Sequence, residues 1–114
     1  MEDCIFCKIA RHEIPAGIMY EDDDVVAFND LNPVAPVHIL IIPKKHISKI
    51  TDMTDGDAPL MGRIMLTAKR LAEQNGVADE GFRVVVNQGR GAGQSVFHIH
   101  FHLLAGRPFG WPPG

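Results

Sequence analysis

Three histidines alternate with apolar residues in His98-Ile99-His100-Phe101-His102. On a β-strand successive side chains point to opposite faces, so this spacing puts three imidazoles on one face and Ile99, Phe101 and Leu103 on the other. Clustered imidazoles make poor filler, because each ring must find polar partners or shift its protonation. Two chemistries suit them. Imidazoles two residues apart on a strand can share a zinc ion, which would make the chain a zinc-dependent hydrolase with the triad as ligands. Alternatively, one imidazole attacks phosphorus while another serves as acid or base near its reference pKa of about 6.5. A non-catalytic nucleotide- or partner-binding module is the third reading.

What precedes the triad favours phosphorus. Gly89-Arg90-Gly91-Ala92-Gly93-Gln94-Ser95 is a glycine-rich connection able to aim consecutive backbone N–H groups at an anion. It joins two strands, unlike the phosphate loops that open a helix. At the other end of the chain stand Cys4 and Cys7, a C-x-x-C pair. Such a pair supplies half of a tetrahedral zinc site and needs two more ligands.

The elements that must position these groups follow from pattern. Strands are predicted at 18–20 and 25–28, joined by the solvated acidic turn Glu21 to Asp24, and at the β-branched run 38–42 between Pro36 and Pro43. Further strands are predicted at 82–88 and 98–104, and a short helix or turn at 4–10. Asp57 to Gln74 reads as the one long helix, with Asp57 as cap, Pro59 in the first turn and Asn75-Gly76 ending it. Leu60, Ile64, Ala68 and Leu71, flanked by Met61, Met65 and Ala72, form its apolar face. Strand pairs on short turns with one helix packed against them make an α+β fold.

The chain has 114 residues, which suits a single domain over 1–114. Its 46% hydrophobic and 22% charged residues are ordinary for a globular protein. With a net charge of −3 and no basic cluster beyond Lys44-Lys45, a nucleic-acid polymer is not the expected partner. Any phosphate site must be local. The longest apolar run, near Val37 to Ile42, is too short to span a membrane, and Met1-Glu2-Asp3 lacks the basic start of a signal peptide. Two cysteines make no disulfide framework, so a reducing cytoplasmic setting is expected.

The stretch Gly93 to Leu104 resembles the motif of the histidine-triad (HIT) family, His-φ-His-φ-His-φ-φ with φ apolar. Ile5 to Ile9, Phe28-Asn29-Asp30, Ile42 to Ser48 and the ending Trp111-Pro112-Pro113-Gly114 extend the resemblance to the Hint branch over nearly the whole chain. In the transferase branch the third triad position is glutamine, unlike His102. The resemblance implies a HIT-like fold: a five-stranded antiparallel sheet, one long helix and a short N-terminal helix, with sheets paired across a homodimer. It implies a nucleotide-binding hydrolase that cleaves the P–N bond of purine nucleoside 5′-phosphoramidates (AMP or GMP derivatives) or related acyl-nucleotides, through a covalent nucleotidyl-histidine.

The same resemblance implies residue roles. His100 attacks the α-phosphorus, His102 and Ser95 contact the phosphate and the departing amine, and His38 supports the histidine network. Asn87 and the backbone of Gly93, Gln94 and Ser95 hold the non-bridging oxygens. Asp30 accepts from the ribose hydroxyls, while Ile5, Phe6, Ile9, Phe28 and Leu31 line the base pocket. Trp111 reaches toward the partner subunit's site. A structural zinc would be held by Cys4, Cys7, His46 and His98, and no catalytic metal is expected.

Overall fold

The β-branched run that ends at Pro43 forms the middle of a five-stranded antiparallel sheet in the computed structural model, which describes residues 3–114. Met1 and Glu2, part of the start assessed above, lie outside the described residues. In chain order the elements are α1 (Ile5–Ala10), β1 (Ile18–Glu21), β2 (Val25–Asn29), β3 (Val37–Pro43), α2 (Ala58–Gln74), β4 (Phe82–Val86) and β5 (Phe101–Ala105). The sheet runs β1-β2-β3-β5-β4. The β1–β2 hairpin follows from its turn. Between β1 and β2, one carboxylate oxygen of Asp22 accepts from the N–H groups of both Asp24 and Val25, at 2.8 and 2.9 Å.

Alternation along β3 sorts the core into two layers. Ile39 and Ile41 face α2 and pack with Val25, Ile64, Leu71, Ile99 and Leu103. Leu40 and Ile42 face the other way and pack with Phe6, Ile9, Val26 and Phe28. Helix α1 therefore covers one face of the sheet and α2 the other. On β5, His102 is paired with Leu40 and points to the α1 side.

Three expectations are corrected. The strand expected over 98–104 begins only at Phe101. The last β3–β5 pair is Ile41 with Phe101, and two steps further the register would set Ile99 against Pro43, which has no N–H to donate. The chain instead bonds the Ile99 N–H to the Ile47 carbonyl at 2.6 Å, and alternation of faces survives through residues 98–100 without strand pairing. Second, Asp57 makes no side-chain cap to α2. It lies in a 3₁₀ turn that leads into the helix, where its carboxylate accepts from the Thr54 N–H at 2.9 Å and pairs with Lys45 at 2.6 Å. Third, Met65 is 49% exposed and lies outside the helix core, whose buried residues are Ile64, Thr67, Ala68, Leu71 and Ala72. Thr67 was missed because a hydroxyl reads as surface. Its Oγ1 donates to the Arg63 carbonyl at 2.8 Å and so enters the core satisfied.

Among the described residues, no helix is long and apolar enough to cross a membrane. Leu71 is fully enclosed between α2 and the sheet. Leu71→Ala should therefore lower unfolding free energy by about 2–5 kcal/mol in chemical denaturation. A loss below about 1 kcal/mol would contradict this packing.

Candidate active site

Two groups of polar side chains sit on the α1 face, joined through the triad. In the first, Cys4, Cys7, His46 and His98 bring one donor atom each to within 4.8 Å of one another. The C-x-x-C spacing across the start of α1 aims both thiols inward, with the Cys7 N–H donating to Cys4 Sγ at 3.3 Å. His98 Nδ1 is 3.3 Å from Cys4 Sγ and 3.5 Å from Cys7 Sγ, while His46 Nδ1 is 3.2 Å from both Cys7 Sγ and His98 Nδ1. A tetrahedral zinc with its usual bond lengths sets N···N and N···S edges of about 3.3–3.6 Å. The donor set fits.

Protonation within this cluster can be read from its partners. A carbonyl only accepts, so the 2.8 Å contact to the Pro43 oxygen places a proton on His98 Nε2 and leaves the Nδ1 lone pair facing the thiols. Burial, more than the weaker repulsion from His46 and His100, pushes the His98 pKa down to about 4. Burial and the neighbouring Cys4 push the Cys7 thiol up. A bound cation would reverse that, since a coordinated thiol is deprotonated.

The second group begins at His100. Its Nδ1–H donates to the His98 carbonyl at 2.8 Å, which makes Nε2 the nitrogen that bears the lone pair in the neutral tautomer. His100 lines a cavity of about 310 Å³ together with His102, Ser95 and Asp30. His102 touches His38, which lies behind it: His38 Nε2 is 2.9 Å from His102 Nδ1 and 3.3 Å from an Asp30 carboxylate oxygen. The Val34 N–H donates to His38 Nδ1 at 3.1 Å, so the His38 proton sits on Nε2. His102 then accepts at Nδ1 and keeps its own proton on Nε2. Burial lowers the His102 pKa to about 4, helped by His100 and His38 and opposed by Asp30. Burial also lowers His38, again opposed by Asp30. Both rings are neutral near pH 7.

The cavity wall is apolar. Ile5, Phe6 and Ile9 come from α1, Phe28 from β2 and Leu40 from β3, with Leu31 exposed at the rim. Phe6 stands edge-on to Phe28 at 5.5 Å and to His100 at 5.1 Å. Ile14, Pro15, Ala16 and Gly17, which close one side, were missed by sequence reasoning, since nothing in that stretch signals a pocket.

The glycine-rich loop departs from expectation. The Gly93 and Gln94 N–H groups donate inside the loop, to Arg90 and Gly89 carbonyls at 3.0 Å, and so do not point at an anion. Gln94 is 2% exposed and braces the loop: its Oε1 accepts from the Gly89 N–H at 2.9 Å, and its Nε2 donates to the Ser48 and Val96 carbonyls at 2.7 and 3.0 Å. Of the expected nest only Ser95 lines the cavity. Asn87, half-buried just past β4, and Trp111, 86% exposed, do not line the cavity of their own chain. Nor do the triad imidazoles converge on one metal. His98 belongs to the cysteine cluster, His102 to the cluster with Asp30 and His38, and His100 to neither.

A family model described as HIT domain matches residues 11–109. The chain is 49% identical over 109 residues to a purine nucleoside phosphoramidase of Escherichia coli K12, covering 96% of this chain and 92% of that protein. It is 54% identical over 113 residues to an uncharacterized HIT-like protein of Synechocystis, covering 99% of this chain and 98% of the relative. Among solved structures, a HIT family hydrolase from Legionella pneumophila superposes with a TM-score of 0.97 at 52% identity, covering 98% of this chain and all of the other.

Proposed function

This chain belongs to the HIT domain family, and from that premise we propose that it hydrolyses the P–N bond of purine nucleoside 5′-phosphoramidates or related acyl-nucleotides. One observation carries the reading. The His100 Nδ1–H is held by the His98 carbonyl, which leaves Nε2 as the nitrogen free to attack, and the ring lines a cavity with an apolar wall and a polar end. The purine rests between Phe6, Ile9 and Phe28, and Asp30 accepts from the ribose hydroxyls. The phosphate lies between Ser95, His100 and His102.

In the first step His100 Nε2 bonds to phosphorus as the P–N bond to the amine breaks. The amine leaves with its electron pair and takes the His102 Nε2 proton as His102 regains one from solvent, so His102 ends neutral and the nucleotidyl-imidazolium at His100 carries the positive charge. In the second step water attacks phosphorus as its proton passes to solvent, and the bond to His100 breaks with its pair going back to Nε2. Splitting the displacement lets one preorganised site serve both halves. His100→Ala should reduce turnover of adenosine 5′-phosphoramidate by at least about 10³-fold while nucleotide binding persists. Acid quench of the unaltered protein should trap a nucleotidyl-protein. Near-normal turnover in the variant, or no trapped species, would overturn the mechanism.

We further propose that Cys4, Cys7, His46 and His98 hold one structural zinc, the donor set fitting it as described. Such an ion would supply cross-linking, with all four positions taken by protein. Its ligands would pin α1, and with it the Ile5, Phe6 and Ile9 wall. Protein purified with reduced thiols should carry about one zinc per chain by elemental analysis. Chelation should lower the melting temperature. Metal-free protein of unchanged stability would sink this assignment.

A two-fold dimer is the third part of the reading. Outer strand β4 carries half-buried Val84, Val85 and Val86, and α2 exposes Met65 and Leu66. Pairing copies would cover such surface. The tail is fastened to its own chain by Arg83, whose Nη2 donates to the Gly110 carbonyl at 2.8 Å, leaving Trp111 free to meet the other subunit. Deleting Trp111 to Gly114 should change preference among amine leaving groups more than nucleotide affinity. Unchanged preference, or a monomer at micromolar concentration by sedimentation, would refute the corresponding claim.

A further inference from the structure

We propose that Asp30 is a positioning residue as well as a ribose acceptor: through His38, and together with the Val34 N–H, its carboxylate fixes which nitrogen of His102 carries the proton. The catalytic consequence rests on the hydrolase reading above, and the geometry does not.

Asp30 follows the end of β2, and its N–H donates to the His38 carbonyl at 3.0 Å, tying the two backbones together. One carboxylate oxygen, Oδ1, accepts from the Asn32 N–H at 2.8 Å. That bond fixes the carboxylate's rotation and leaves Oδ2 facing His38 Nε2 at 3.3 Å. His38 is thus constrained at both nitrogens. At Nδ1 the Val34 N–H demands a lone pair, and at Nε2 the Asp30 oxygen demands a proton. The other tautomer would set donor against donor at one end and lone pair against lone pair at the other.

The choice passes on. His38 Nε2–H is shared with His102 Nδ1 at 2.9 Å, so His102 must accept there and carry its proton on Nε2. His102 lines the cavity beside His100, and the two ring centroids are 5.1 Å apart. The carboxylate that meets the ribose therefore also orients the group that meets the leaving amine. Asp30, His38 and His102 lie close enough together to suggest a metal site. The Val34 N–H argues against it, because it occupies the lone pair of His38 Nδ1 and keeps a proton on the Nε2 that would have to ligate.

Asparagine at position 30 gives the sharpest test. If Asn32 keeps its bond to Oδ1, Asp30→Asn turns an amide N–H₂ toward His38 Nε2 and sets two donors face to face. Only the Val34 N–H would then hold the Nε2–H form of His38, so its Nδ1–H form should become populated, and that of His102 with it. Replacing the orienting carboxylate of a serine-protease triad by asparagine likewise traps the wrong tautomer, at about 10⁴-fold in kcat.

Long-range ¹H–¹⁵N spectra of histidine-labelled protein near neutral pH read this directly. Unaltered protein should show His38 and His102 protonated at Nε2 and bare at Nδ1. Asp30→Asn should populate the Nδ1–H form of both while His98 keeps its signals. With adenosine 5′-phosphoramidate, kcat should fall by at least about 10-fold, and KM should change less. Unchanged tautomers in Asp30→Asn, or a loss confined to KM, would overturn the proposal. An Nδ1-protonated His102 in the unaltered protein would overturn it even if the variant failed to fold. Spectra as expected from a protein that turns over no phosphoramidate would leave the positioning role standing and remove the hydrolase reading instead.

Discussion

Both ring nitrogens and the carbonyl of His98 have partners, and the site depends on that one residue. Its Nε2–H is fixed by the Pro43 carbonyl at the end of β3, its Nδ1 faces the cysteines, and its own carbonyl receives the His100 Nδ1–H. The ring is fully buried, so an unpaired nitrogen there would carry the whole desolvation cost. Helix α1 has six residues, far fewer than an isolated helix needs to persist in water. It is held by Cys4 and Cys7 beside His98 and by Phe6 and Ile9 in the core. One residue thus joins the end of the central strand, the wall of the cavity and the tautomer of the nucleophile.

Much of this was legible because two periodicities are hard to disguise. The β-branched run before Pro43 and the alternating histidines set which residues face α1 and which face α2. The faces were right through 98–100 even though the backbone there is not a strand. Side-chain alternation needs only extended backbone, whereas a ladder needs donors that Pro43 lacks. The C-x-x-C pair likewise marked one half of a cluster. On α2 the apolar stripe was legible, but its width was not. Met65 carries the same hydrophobic signal as Ile64, and only the position of the sheet decides that Ile64 is buried and Met65 is not.

What was not legible depends on contacts between distant residues. Gln94 looks like a loop glutamine free to meet a ligand, yet its amide is held by the carbonyl of Ser48, 46 residues earlier. The loop's glycines suggested a row of free N–H groups, but the 3₁₀ turn at Arg90–Ala92 directs those of Gly93 and Gln94 back into the loop. Asp30 before Asn32-Pro33 reads as an ordinary turn aspartate, and it is one, through the Asn32 N–H. Its second oxygen gains a role only because the β2–β3 hairpin folds His38 against it.

Charge alone cannot explain how such a site would hold a phosphate. The chain is net negative, and burial keeps His102 and His38 neutral near pH 7. A cationic ring at His100 would attract the anion more strongly, but it would lack the lone pair that attack on phosphorus requires. Neutral rings resolve the conflict only if each nitrogen's role is fixed in advance, since a neutral imidazole in the wrong tautomer offers a lone pair where a donor is needed. The fold fixes those roles largely with backbone groups, which have no choice of protonation: carbonyls of Pro43 and His98, and the N–H of Val34, which acts on His38 together with the Asp30 carboxylate. A backbone group cannot ionise, so the directions it sets persist while side chains exchange protons. This accounts for three histidines of the site each spending one nitrogen on main chain and keeping the other for chemistry.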